Sequence, residues 1–157
     1  MEVKIRKVKA GDWPVMKKTM EDIWKYHRPL FRKIDSSFEA FARSTPKKKF
    51  IKWTRQRNSY FILAESSKKP IGYLLARVDK DPANPKISFG KLTQIFVIPR
   101  YRGKGVSDLL WQDVLKWFKS RRVDFLQLYV TVNNKHAIEV YKKWGFKPYM
   151  IRMVKKF

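Results

Sequence analysis

The 157-residue sequence contains no cysteine. That absence excludes a disulfide scaffold, a thiolate metal site and a cysteine nucleophile. Histidine is almost missing too: His27 and His136 are the only two, too few for a histidine-rich centre, so no metal is expected. No apolar run approaches the roughly 18 residues of a membrane span, and stretches such as Tyr60–Ala64 are far shorter, so no membrane association is expected. The opening Met-Glu-Val-Lys-Ile-Arg lacks the continuous apolar core of a signal peptide. The expectation is a soluble cytoplasmic protein. Acidic residues are scarce as well, 13 against 37 Lys and Arg, for a net charge of +24.

The positive excess is spread along the chain, at +11 over 1–58, +2 over 59–90, +5 over 91–125 and +6 over 126–157. There is no detachable basic tail. Such a field attracts anions, whether nucleic acid, an acidic protein, a phosphorylated cofactor or anionic lipid, and selects none of them. A solvated surface accounts for it equally well. Apolar residues make up 44% and aromatics 15%, enough for a core in one domain spanning 1–157 and too many for intrinsic disorder.

Val3–Val8 alternates apolar and charged residues, as a half-buried strand does. Ala10-Gly11-Asp12 reads as a turn with Asp12 as N-cap of a helix that Pro29 stops. A second helix is expected from Ser36-Ser37-Phe38-Glu39 to Pro46, and a third, strongly basic one from Pro46 to about Gln56. Strands at 60–65 and 71–78 flank a hairpin turn at 66–70, and a strand at 91–98 ends at Pro99. Val106, Leu109, Leu110, Val114, Trp117 and Phe118 form one helical stripe. A strand at 125–132, a helix at 136–144 stopped by Gly145 and a last strand at 146–154 complete a mixed α/β (α+β) domain. A central sheet of about six or seven strands flanked by helices is the expected architecture.

Two segments carry chemistry. Between strand 91–98 and the helix at 106 lies Pro-Arg-Tyr-Arg-Gly-Lys-Gly, a basic loop with two glycines at a helix start. Successive free N–H groups there, backed by the helix dipole, form an anion cradle, and Arg100, Arg102 and Lys104 add charge. The spacing is not that of a P-loop, and a solvated basic turn is the bland alternative. The second segment runs from Asn133 to Phe146. Asn134 stands where the helix should be capped, and Tyr141 follows two turns later on the same face. A phenol in that position either packs with a satisfied hydroxyl or donates a proton.

In this order the segments resemble the GCN5-related N-acetyltransferase (GNAT) family over most of the chain. Ile5-Arg6-Lys7-Val8 and Asp12 are similar to its first strand and turn. Arg102-Gly-Lys-Gly105-Val-Ser107 is similar to its coenzyme loop, and Asn134-x-x-Ala137-x-x-x-Tyr141-x-x-x-Gly145-Phe146 to its second motif. The resemblance implies acetyl-CoA as donor and direct attack by a substrate amine in a ternary complex, in the splay between strands 91–98 and 125–132. It implies that amides of Arg102, Gly103, Lys104, Gly105, Val106, Ser107 and Asp108 hold the pyrophosphate, and that the pantetheine arm pairs with Ile95, Phe96 and Val97. It implies an N–H near Val97 on the thioester carbonyl, Tyr141 as general acid, and Asn134 as coenzyme contact or helix cap.

Three departures stand out. Ser107 replaces the loop's usual last Gly or Ala. Strand 91–98 has no acidic residue, and Tyr129 stands where some members place a base, which leaves a water chain or Glu21, Asp22, Glu65 or Asp79 to take the proton. The 11 residues after Phe146 are few for a final hairpin, so the last strand is expected to be single or completed by a second subunit in a homodimer. The aromatic segment with Trp24, His27 and Phe31 either walls the acceptor pocket or packs beneath the helix. The rival function is a basic nucleic-acid- or ribosome-associated binding module on the same fold.

Overall fold

The computed structural model describes residues 1–27, 47–153 and 155. Its elements are β1 (Lys4–Lys7), a 3-10 turn (Ala10–Asp12), α1 (Trp13–His27), α2 (Lys47–Arg55), β2 (Ser59–Ser66), β3 (Lys69–Lys80), β4 (Ser88–Val97), a 3-10 turn (Pro99–Tyr101), α3 (Val106–Ser120), β5 (Phe125–Leu128) and α4 (Lys135–Lys143). The helix expected at 36–46 lies outside the described residues. So do Phe31 and the side chains of Trp24 and His27.

Among the described residues, five strands form one sheet in the order β1-β2-β3-β4-β5, antiparallel except for the parallel pair β4–β5. This is the expected mixed α/β architecture with fewer strands than expected. Residues 146–153 form no strand, and Tyr149, Met150, Ile151 and Met153 are exposed. Apolar and aromatic residues favour a strand but do not supply its partner, and Pro148 removes a donor. The strand expected at 125–132 stops at Leu128 for the same lack of a pairing edge.

Each face of the sheet buries one core. On one side α3 sets Val106, Leu110, Trp111, Val114 and Phe118 against Ile62, Leu74 and Leu92. On the other, α1 and α2 set Met16, Met20, Phe50 and Trp53 against Phe61, Leu63, Tyr73 and Phe96. Each such side chain contributes about 1.5–3 kcal/mol on burial, so α3 is anchored through its whole length. The β2–β3 hairpin closes in two residues, Ser67 and Lys68, both at positive φ (49° and 62°), the primed turn that matches strand twist.

Asp12 does not cap α1 as expected. Its carboxylate accepts the Lys9 N–H at 2.7 Å and two bonds from Arg6 at 2.8 and 3.0 Å, while Arg6 also reaches Glu65 at 2.8 Å. The motif shared by β1 and its turn is therefore a clamp between β1, the turn and β2.

Candidate active site

A β-bulge opens the site. The β3–β4 register runs Ala76↔Leu92 and then Leu75↔Gln94, leaving Thr93 as an extra residue on β4. A bulge bends its strand and raises its twist. It falls one residue beyond Leu92↔Leu128, the last pair of the short β4–β5 ladder. Past that point the two parallel strands separate, and a cleft of about 120 Å³ occupies the gap.

The antiparallel ladder decides which β4 groups face that gap. The Ile98 N–H bonds to the Ile71 carbonyl, which makes Ile98 and Phe96 members of hydrogen-bonded pairs with β3. Val97 and Ile95 alternate with them and so direct their N–H and C=O groups away from β3, toward the cleft. Phe96 lines the cleft by its side chain, but its backbone is turned to β3, which corrects the expectation of three consecutive edge residues. The Val97 carbonyl accepts Arg102 Nε at 3.0 Å, and no protein group takes its N–H among the described residues.

The loop after β4 builds the second wall. The Arg102 N–H is already donated to the Pro99 carbonyl (3.1 Å), so Arg102 cannot offer its amide to a ligand. From Gly103 to Asp108 the N–H groups have no hydrogen-bond acceptor among the described residues; the first bond of α3 is Leu109 N–H to Gly105 O. Gly103 (φ 69°) and Gly105 (φ 75°) hold left-handed conformations that residues with side chains rarely adopt, and the space beside each is open. The Arg102 guanidinium lies 4.0 Å from the Tyr26 ring centroid, bringing α1 to the cleft rim.

The third wall is α4. Asn134, buried, caps it by accepting the Ala137 N–H at 3.3 Å, and Gly145 ends it at φ 90°. Tyr141 packs against Trp144 and Phe146, at ring distances of 5.7 and 6.2 Å. Its hydroxyl makes no hydrogen bond among the described residues, and burial pushes its pKa up to about 12. The phenol is therefore protonated throughout the neutral range.

Of the residues expected at the site, Ile95, Phe96, Val97, Arg102, Gly103, Val106, Ser107, Asn134 and Tyr141 line this cleft. Lys104, Gly105 and Asp108 belong to its loop and helix start without lining it. Tyr26, Tyr101, His136, Val140 and Trp144 line it too and were not singled out in the sequence. Spacing from Asn134 and Tyr141 along α4 could have found His136 and Val140; Tyr26 arrives through a tertiary contact. No carboxylate lines the cleft among the described residues. Glu65 pairs with Arg6, Asp79 with Arg77 and Asp22 with Lys25, while Glu21 stands 4.0 Å from Lys17. Tyr129 is 78% exposed, under Lys91 rather than in the cleft.

A three-walled cleft where two parallel strands diverge, with free amides at a helix start, is the kind of site that can take an anionic group in an α/β protein. The family model described as the acetyltransferase (GNAT) family matches residues 19–146, and the chain belongs to that family. It is 27% identical over 148 residues to the uncharacterized N-acetyltransferase MJ1207 of Methanocaldococcus jannaschii, covering 90% of this chain and 65% of that protein. It is 30% identical over 104 residues to an N-alpha-acetyltransferase of Sulfurisphaera tokodaii, covering 62% of each. The chain thus spans slightly less than two thirds of the length of these relatives. In fold it is similar to the PaiA N-acetyltransferase of Thermoplasma acidophilum in complex with coenzyme A, with a TM-score of 0.79, 20% identity and 94% and 91% of the two chains covered. No group of metal-binding side chains and no helix long and apolar enough to cross a membrane occurs among the described residues.

Proposed function

We propose that this chain transfers an acetyl group from acetyl-CoA to a primary amine by direct attack in a ternary complex. The observation that carries the reading is that unpaired donors of three kinds belong to residues lining one cleft: the amides of Gly103, Val106 and Ser107, the Val97 N–H and the Tyr141 hydroxyl. The residues present fit the donor. The amides would hold its pyrophosphate, and the open edge of β4 at Ile95 and Val97 would pair with the pantetheine arm. Acetyl-CoA supplies the activated thioester.

The chain's own groups do the rest. The Val97 N–H stabilises negative charge on the carbonyl oxygen, a preorganised dipole that needs no rearrangement. Tyr141 delivers the proton on its Oη to the departing sulfur. With the candidate carboxylates engaged elsewhere, the proton of the attacking amine leaves to water. Asn134 holds the start of α4, and through it the placement of Tyr141 seven residues on. The basic rim of Arg102 and Lys104 attracts the donor's phosphates and disfavours polycationic acceptors at long range.

The test is thermal stabilisation by acetyl-CoA. A ligand at 100 times its Kd adds about 2.7 kcal/mol, a rise of several degrees in Tm. No shift at millimolar acetyl-CoA sinks the reading. A screen of amino acids, peptide N-termini, protein lysines, polyamines and aminoglycosides then identifies the acceptor.

A further inference from the structure

α2 and α3 pack on opposite faces of the sheet and end at the same strand ends, those remote from the cleft. Arg121, closing α3, donates from Nη2 to the backbone carbonyl of Arg57, just beyond α2, at 2.9 Å. This bond joins residues 64 apart, and the two chain ends it links carry six exposed cations: Lys52, Arg55 and Arg57 on one, Lys119, Arg121 and Arg122 on the other. None of the six has an ion pair among the described residues. The nearby carboxylates are engaged elsewhere, Asp113 by the Tyr60 hydroxyl, Asp124 by the Ser88 N–H and Asp79 by Arg77.

One or two cations satisfy a helix C-terminus, and further like charges at i,i+4 spacing oppose helix formation. Arg122 moreover holds φ 51°, the left-handed position after a helix that glycine usually takes. A side chain in that conformation costs backbone energy, and here it carries another positive charge. Six unpaired cations on a rigid surface complement a row of phosphates.

We propose that this end of the sheet binds the phosphate backbone of a double-stranded nucleic acid without reading its sequence. Three features select that occupant. Phe50 and Trp53, the apolar face of α2, are buried in the core, so the helix has nothing to insert into a lipid surface. Trp117 stacks on Tyr60 at 5.0 Å and lies beneath Arg121, so it offers no free ring on which single-stranded bases could stack. The six cations sit on ordered helix ends, suited to the regular phosphate spacing of a duplex. This end is also independent of the cleft, because the 15 residues of α3 carry it about 22 Å from the loop amides.

The experiment is a salt titration of binding to a duplex of about 20 base pairs, as DNA and as RNA, on the full chain. Each neutralised phosphate contributes about −0.9 to the slope of log K against log salt, so removing four contacts flattens it by about 3.6. The variant Lys52→Ala/Arg55→Ala/Arg57→Ala/Arg122→Gly should lose that much slope and, at low salt, most of its affinity, while keeping its response to acetyl-CoA. Glycine suits the backbone at 122, and far-UV circular dichroism checks the fold. The charge control is Lys18→Ala/Lys68→Gly/Lys69→Ala/Lys147→Ala, which removes four exposed cations elsewhere and should retain the slope. Equal loss in both variants, or wild-type binding that is stronger to single strands or to anionic phospholipid vesicles, overturns the proposal.

Discussion

The indole N–H of Trp144 donates to Oδ1 of Asp108 at 2.7 Å, tying the residue that caps the end of α4 to the first turn of α3. The same indole stacks on Trp111 at 4.9 Å with the planes 5° apart. The two helices that form opposite walls of the cleft are thus held by one hydrogen bond and one ring stack. Asp108 also places a carboxylate in the first turn of α3, where the dipole favours it.

Replacing Trp144 by Phe keeps an aromatic against Trp111 and removes the donor. We expect a loss of about 1 kcal/mol, since the bond is to a charged acceptor but solvent-exposed, together with weaker acetyl-CoA binding as the walls loosen. Denaturant unfolding and the acetyl-CoA dependence of Tm measure the two effects. A variant equal to wild type in both would reduce the bond to a surface contact.

Tyr141→Phe keeps the ring contacts with Trp144 and Phe146 and removes the proton. If the phenol is the general acid, kcat falls by roughly 10²–10⁴ while acetyl-CoA binding is preserved. Because burial holds the phenol at about 12, the wild-type rate should show no loss attributable to Tyr141 below pH 10. An unchanged kcat in the variant assigns Tyr141 to packing alone.

Gly90 lies on β4 opposite Leu126, beneath α3. A methyl group built there would meet Phe118 Cε1 at 2.6 Å and overlap Leu126 Cδ2. Both neighbours belong to the core, so Gly90→Ala should cost about 1–3 kcal/mol by overpacking, and it should disturb the β4–β5 pairing that positions the cleft. Chemical denaturation gives the value. A neutral result would mean that α3 shifts freely on the sheet.

The Arg6–Asp12 pair predicts a pH dependence. Hydrogen bonds from Arg6 hold the Asp12 carboxyl below the usual carboxylate range, against the opposing effect of burial. A depressed folded pKa gives stability that is present above the unfolded value of about 3.9 and is lost as pH falls through the folded one. Asp12→Asn should therefore melt lower than wild type by a constant interval above about pH 5, and the interval should close toward pH 2. A gap that persists at pH 2 would place the stabilisation elsewhere than in the ion pair.

Much of the site was legible because its signals are local. The glycines at 103 and 105, the cap at Asn134 and the seven-residue step to Tyr141 act within one or two turns of chain, as do the helical stripe of α3 and the stop at Gly145. The errors share a physical cause. The apolar and β-branched residues at 146–154 and 129–132 suit a strand, yet a strand exists only where another offers a ladder. Asp12 resembled a helix cap locally, but Arg6 and the Lys9 amide compete for its oxygens.

By itself the amino-acid order determined the four described helices, the hairpin, the loop with its positive-φ glycines and the excess of positive charge, since each depends on near neighbours and composition. The tertiary structure decided where the strands part, through a bulge at Thr93 set against a four-residue parallel ladder. It also decided which amides stay unpaired, which carboxylates are engaged, and that cations 64 residues apart share one end of the sheet. Those outcomes turn on register and on long-range pairing, where a shift of one residue reverses what faces the cleft.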